Sequence, residues 1–117
     1  MALKFLNIPE QDAVRVRADA LQQQVVAILQ AVKAPDRHAE ITAEILTAAS
    51  LRGVDTHGVG NVVGYVQAIE QGVYTIPQTV EIVSESATTA LLDCGNGLGF
   101  VAAHQAMELS IAKARQQ

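Results

Sequence analysis

The sequence predicts an α+β chain, a small orthogonal helical domain followed by the first strands and helix of an α/β domain. Three observations predict it. Apolar residues recur at helical spacing between positions 19 and 71, the period switches from about 3.6 to about 2 after Pro77, and a helical stripe returns after the glycine-rich stretch at 95–99. Two strands cannot make a stable sheet alone, so the second unit is expected to open something larger.

Each element has a local reason. Residues 1–13 show no period and are expected to form an N-terminal extension. Val14 and Val16 alternate with Arg15 and Arg17, which suits a short edge strand. Leu21, Val25, Ile28, Leu29 and Val32 then fall on one face of a helix, which Asp19 can cap and Pro35 stops. Pro35 also suits the first turn of a second helix, with Asp36 at the positive end of its dipole. Ile41, Ile45, Ala48 and Ala49 mark the buried stripe of that helix to about Leu51, and Gly53 closes it. A third helix is expected from near Val59 to Gln71, with Val62, Val66 and Ile69 inward and Gly72 ending it. Val80 and Ile82, then Ala90-Leu91-Leu92, make two strands joined near Glu85-Ser86. The last helix places Phe100, Ala103, Met107, Ile111 and Ala114 on one stripe. The division that follows is 1–13 extension, 14–77 helical domain, and 78–117 the beginning of an α/β domain.

Composition narrows the function classes. Half of the 117 residues are hydrophobic, 17% are charged and only 3% are aromatic, so the core must come from Ala, Val, Leu and Ile. A net charge of -4 with scattered basic residues argues against nucleic acid, whose phosphates need clustered Lys and Arg. The longest aliphatic run, positions 25–29, is far short of the roughly 20 residues that span a bilayer, so no membrane partner is expected. The start of the chain lacks the pattern of a secretory signal, and its single cysteine, Cys94, cannot close an internal disulfide. The cytoplasm is the expected location.

The sharpest chemical feature is Gly53-Val54-Asp55-Thr56-His57-Gly58. Imidazole exchanges a proton near neutrality, and a histidine flanked by a hydroxyl and two glycines sits where backbone can approach a ligand. Asp55 or Thr56 could orient the ring. The residues alone leave a second reading open, in which Asp55 or Thr56 caps the third helix and His57 merely lies in its first turn. His38 is expected to be solvated and His104 to pair with Glu108 one turn on. No cluster with metal-ligand spacing is visible. Gly97-Leu98-Gly99-Phe100-Val101-Ala102 fits a dinucleotide fingerprint, but the acidic residue due about 20 positions later is missing, and a tight turn accounts better for it.

The stretch Leu51-Arg52-Gly53-Val54-Asp55-Thr56-His57-Gly58-Val59, followed by Tyr65, resembles the signature of the malate/L-lactate dehydrogenase family of the second type. That group includes ureidoglycolate, sulfolactate and piperideine-2-carboxylate oxidoreductases. Further matches follow in the same order: Gly72-Val73-Tyr74, Pro77, Thr89-Ala90-Leu91-Leu92-Asp93, Asn96-Gly97-Leu98-Gly99 and Ala106-Met107-Glu108-Leu109. The resemblance implies an oxidoreductase that interconverts 2-hydroxy and 2-oxo acids with NAD or NADP, bound by a fold other than the Rossmann type. It implies His57 as the proton donor and acceptor, Thr56 in its relay, and Asn61 and Tyr65 on the substrate side. It also implies a small 2-oxo or 2-hydroxy acid as partner and a homodimer as assembly.

Two departures stand out. Asn61 occupies the place of an arginine that holds the substrate carboxylate, and an amide brings neither its charge nor its bidentate fork. Ala18 replaces an aromatic near the first helix. The family's cofactor elements are expected beyond Gln117, so the isolated chain is expected to be inactive. The alternative is a non-catalytic helical interaction module derived from such an enzyme.

Overall fold

The computed structural model describes residues 9–116, so the first eight positions of the expected extension lie outside the described residues. Its described part, to position 13, is exposed and carries a single 3₁₀ turn, Glu10–Asp12. The expected edge strand is not formed. Val14 and Val16 lie in exposed, irregular backbone, because alternation marks a strand only where a neighbouring strand offers a ladder.

Four helices and one hairpin follow: α1 (Ala18–Ala31), α2 (Asp36–Leu51), α3 (Val62–Glu70), β1 (Glu81–Glu85), β2 (Ala90–Asp93) and α4 (Gly99–Ala114). Helix α1 starts one residue before Asp19, whose carboxylate turns to the Arg17 guanidinium and the Ala20 N–H rather than capping the end. That guanidinium, seconded by the Ala20 N–H, holds the carboxyl below the ordinary range.

Three helix ends close in the same way. The N–H groups of Gly53 and Val54 return to Ser50 and Ala49, and those of Gly72 and Val73 to Ile69 and Ala68. Both glycines take φ near +70°, as this left-handed closure requires. At the end of α1 the same geometry falls on Lys33, with φ +68°, followed by Ala34 bonding Leu29.

The core is small and aliphatic. Val25 and Leu29 of α1 pack on Ala39, Ala43 and Leu46 of α2, with Ala34 and Val62 closing the cluster and Tyr65, Val66, Ile76 and Phe100 around it. Helix α2 is the centre: α1, α4 and the turns before α3 all pack on it. Its burial therefore extends round the helix, to Thr42 and Thr47 as well as the expected Ile41, while Ile45, Ala48 and Ala49 are only half-buried.

The hairpin is antiparallel, in register Glu81↔Asp93 and Glu85↔Ala90, with a bulge between Ile82 and Ser84. Lys113 of α4 ties its tip, its Nζ donating to Glu85 Oε2 at 2.8 Å and Ser86 O at 2.7 Å. Helix α4 reverses one expectation. Val101 and Ala102 are buried, whereas Ala103, Met107, Ile111 and Ala114 face solvent. Apolar residues stripe this helix on more than one side, and contact with α2 decides which side is covered. Among the described residues no helix is long and apolar enough to cross a membrane.

Candidate functional site

The site begins where α2 ends. Once Gly53 has turned the chain, residues Asp55–His57 form a single 3₁₀ turn, with His57 N–H bonding Val54 O and Gly58 N–H bonding Asp55 O. Gly58 then swings to extended backbone, φ -93° and ψ -164°, before a second 3₁₀ turn, Val59–Asn61, leads into α3. Neither Asp55 nor Thr56 caps α3: the residue at its start is Asn61, and no side chain bonds its end.

His57 is exposed, and Thr56 Oγ1 lies 2.8 Å from its Nδ1. A hydroxyl both donates and accepts, so Thr56 serves either tautomer of the ring. Asn61 Nδ2 donates to Thr56 O at 2.8 Å. These residues, with Gly64, Tyr65, Ala68 and Tyr74, line an open cleft of about 350 Å³. Tyr65 is held between two other aromatics, edge-on to Phe100 at 5.3 Å between ring centres and tilted against Tyr74 at 6.4 Å. The four residues singled out in the sequence, Thr56, His57, Asn61 and Tyr65, are thus brought to one cleft. Its lining carries no formal charge apart from whatever His57 takes up.

A slightly larger depression, about 380 Å³, lies over α1 and α2, lined by Asp19, Gln22, Gln23, Val26 and Glu40. Its carboxylates are already paired, Asp19 with Arg17 and Glu40 with Arg37, and it holds no group that exchanges protons near neutrality. Chemistry favours the smaller cleft. The other histidines lie apart: half-buried His38 has no partner for Nδ1 among the described residues, and His104 sits 3.3 Å from Glu108 in ion-pair range but without hydrogen-bond alignment. Among the described residues no group of three metal-ligating side chains converges.

The glycine-rich loop is occupied by its own chain. Gln78, buried, clasps Leu98 by both amide atoms: Nε2 donates to Leu98 O at 3.1 Å and Oε1 accepts from Leu98 N at 2.7 Å. A Cβ on Gly97 would collide with that side chain. Gly95 N–H goes to Asp93 Oδ1 and Gly97 N–H to Cys94 O. A pyrophosphate cradle needs those amides free, so these residues do not fit one. Gln78 escaped the sequence reading because an isolated glutamine beside a proline has no periodic signature. Ser50, whose Oγ accepts the Val59 N–H at 3.1 Å, escaped for the same reason, and Tyr74 stood out only as part of a resemblance.

Comparison with known proteins places relatives beside this chain. A family model described as malate/L-lactate dehydrogenase matches residues 16–117. A malate dehydrogenase of Pyrococcus abyssi is 36% identical over 107 residues, covering 92% of this chain and 30% of that protein. The L-sulfolactate dehydrogenase of Methanocaldococcus jannaschii is 36% identical over 91 residues, 78% of this chain and 26% of the relative. The solved malate dehydrogenase of Pyrococcus horikoshii OT3 superposes with a TM-score of 0.89 at 33% identity, over 95% of this chain and 32% of its own. The chain spans about three tenths of the relatives it matches and aligns with them as an α+β, helix-rich unit.

Proposed function

We propose that His57 moves the proton in a 2-hydroxyacid dehydrogenase reaction, and the premise is kinship: this chain belongs to the malate/L-lactate dehydrogenase family. The relatives are dehydrogenases of small hydroxy acids, malate and sulfolactate among them. The observation that carries the reading is the 2.8 Å contact of Thr56 Oγ1 with His57 Nδ1 in the wall of an open cleft. With Nδ1 engaged, Nε2 is the nitrogen left to face substrate. In oxidation it takes the proton of the C2 hydroxyl as carbon 2 gives up hydride, and in reduction it returns that proton to the carbonyl oxygen. Thr56 keeps the ring oriented and hydrogen-bonded at Nδ1, while Asn61 and Tyr65 border the substrate with neutral groups.

The nicotinamide cofactor, NAD or NADP, supplies the hydride acceptor or donor when bound, on a fold other than the Rossmann type, and no described residue is assigned to hold it. On the same reading residues 14–77 carry the proton-transfer side and residues 78–117 open the α/β domain. The test is His57→Ala in the whole enzyme. We expect kcat to fall by about 10²–10⁴ with the melting temperature nearly unchanged, and Thr56→Val to lose less in the same direction. Normal turnover in His57→Ala would remove the assignment and leave the turn at 55–57 a packing role only.

A further inference from the structure

The backbone around His57 is interrupted at one bond, and two side chains take up both broken ends. In the turn at Asp55–His57, the bonds His57 N–H to Val54 O and Gly58 N–H to Asp55 O are made. The next of the series would run from Val59 N–H to Thr56 O. It is not made, because Gly58 is extended and carries Val59 away. Ser50 Oγ accepts the orphaned Val59 N–H at 3.1 Å, and Asn61 Nδ2 donates to the orphaned Thr56 O at 2.8 Å. Among the described residues no backbone donor reaches that carbonyl.

We propose that Ser50 and Asn61 are positioning residues that together brace the turn holding His57, Asn61 at the Thr56–His57 peptide before the ring and Ser50 at the Gly58–Val59 peptide one unit beyond it. Asn61 fixes the carbonyl of Thr56, and therefore the plane of the Thr56–His57 peptide, the origin of both the hydroxyl and the ring. Ser50, seated on α2, fixes the segment leaving the histidine at Val59. The seat is close, since a Cβ on Gly58 would collide with the Ser50 hydroxyl. Asn61 thus contributes more than a neutral wall to the cleft: its amide also holds a backbone carbonyl.

The proposal rests on His57 as the proton-transfer group, but its test requires no turnover. Long-range ¹H–¹⁵N NMR of the full chain at neutral pH reads which ring nitrogen of His57 is protonated, with His38 and His104 as internal references. Asn61→Leu removes the donor without adding charge, and Ser50→Ala removes the acceptor without disturbing helix propensity. We expect each to move the His57 ring signals toward those of an unrestrained imidazole and to speed exchange of the His57 amide about tenfold, the effect of losing one hydrogen bond. His38 and His104 should not move. Unchanged His57 signals in folded Asn61→Leu and Ser50→Ala would overturn the brace, as would equal shifts at all three histidines. If Asn61→Leu does not fold, Ser50→Ala decides alone. Turnover surviving His57→Ala, by contrast, would sink the functional reading and leave the brace standing.

Discussion

At the scale of single residues, Gly58 shows how a motif position acquires its reason. Its φ of -93° is open to any residue, so backbone freedom does not demand glycine here. Space does: a Cβ would meet the Ser50 side chain. Gly58→Ala should therefore destabilise the chain by about 1–3 kcal/mol, the usual cost of forcing atoms into a packed site. The same substitution in a Ser50→Ala background should cost at least about 0.5 kcal/mol less, because the obstructing hydroxyl is gone. Denaturant unfolding of the four proteins measures the coupling. Additive losses would mean that the two residues do not meet. The Thr56-His57 pair was legible in sequence because it is contiguous, whereas Ser50 lies eight positions before Gly58 and becomes visible only when α2 and the turn are folded together.

Among the elements, helix endings illustrate both success and failure of local reading. Gly53 and Gly72 announce the ends of α2 and α3, and both adopt the left-handed φ that a β-carbon disfavours. The end of α1 has the same hydrogen-bond pattern with Lys33 in the critical place, φ +68°. No glycine signals it, and Pro35 two positions on is the only cue. Lys33→Gly should raise stability by about 0.5–1 kcal/mol, because relief of the left-handed strain exceeds the added entropy of the unfolded chain. Thermal unfolding followed by circular dichroism would show a gain of a few degrees. A loss instead would mean that the Lys33 side chain contributes more than its backbone costs. Helix α4 failed locally for another reason: it is apolar on more than one side, so periodicity cannot choose between the buried Val101-Ala102 side and the exposed Met107-Ile111 side.

For the whole molecule, the radius of gyration is 16.6 Å, against about 13 Å for a compact domain of about 100 residues. The hairpin is little covered: β1 is exposed along its whole length, and Ile82, Val83 and Leu91 are 50–61% exposed. Met107 and Ile111 of α4 add further apolar area, at 61% and 44%. The chain should therefore bind a hydrophobic dye and show concentration-dependent association by light scattering, and Val83→Lys with Met107→Lys should reduce both. A dye-free monomer at high concentration would show that these side chains are too scattered to act as a patch.

Sequence by itself determined what depends on neighbours along the chain: four helices and a hairpin in order, the glycine stops, the family signature and the adjacency of Thr56 and His57. These follow from periodicity, turn chemistry and contiguity, which are local properties. Tertiary structure alone decided which faces were covered, that residues 14–17 found no strand to pair with, that Gln78 fills the space above Gly97, and that Ser50 and Asn61 converge on the turn holding His57. Each depends on a contact between segments that the chain keeps apart, and a spacing rule carries no information about which distant side chain will arrive to complete a backbone bond.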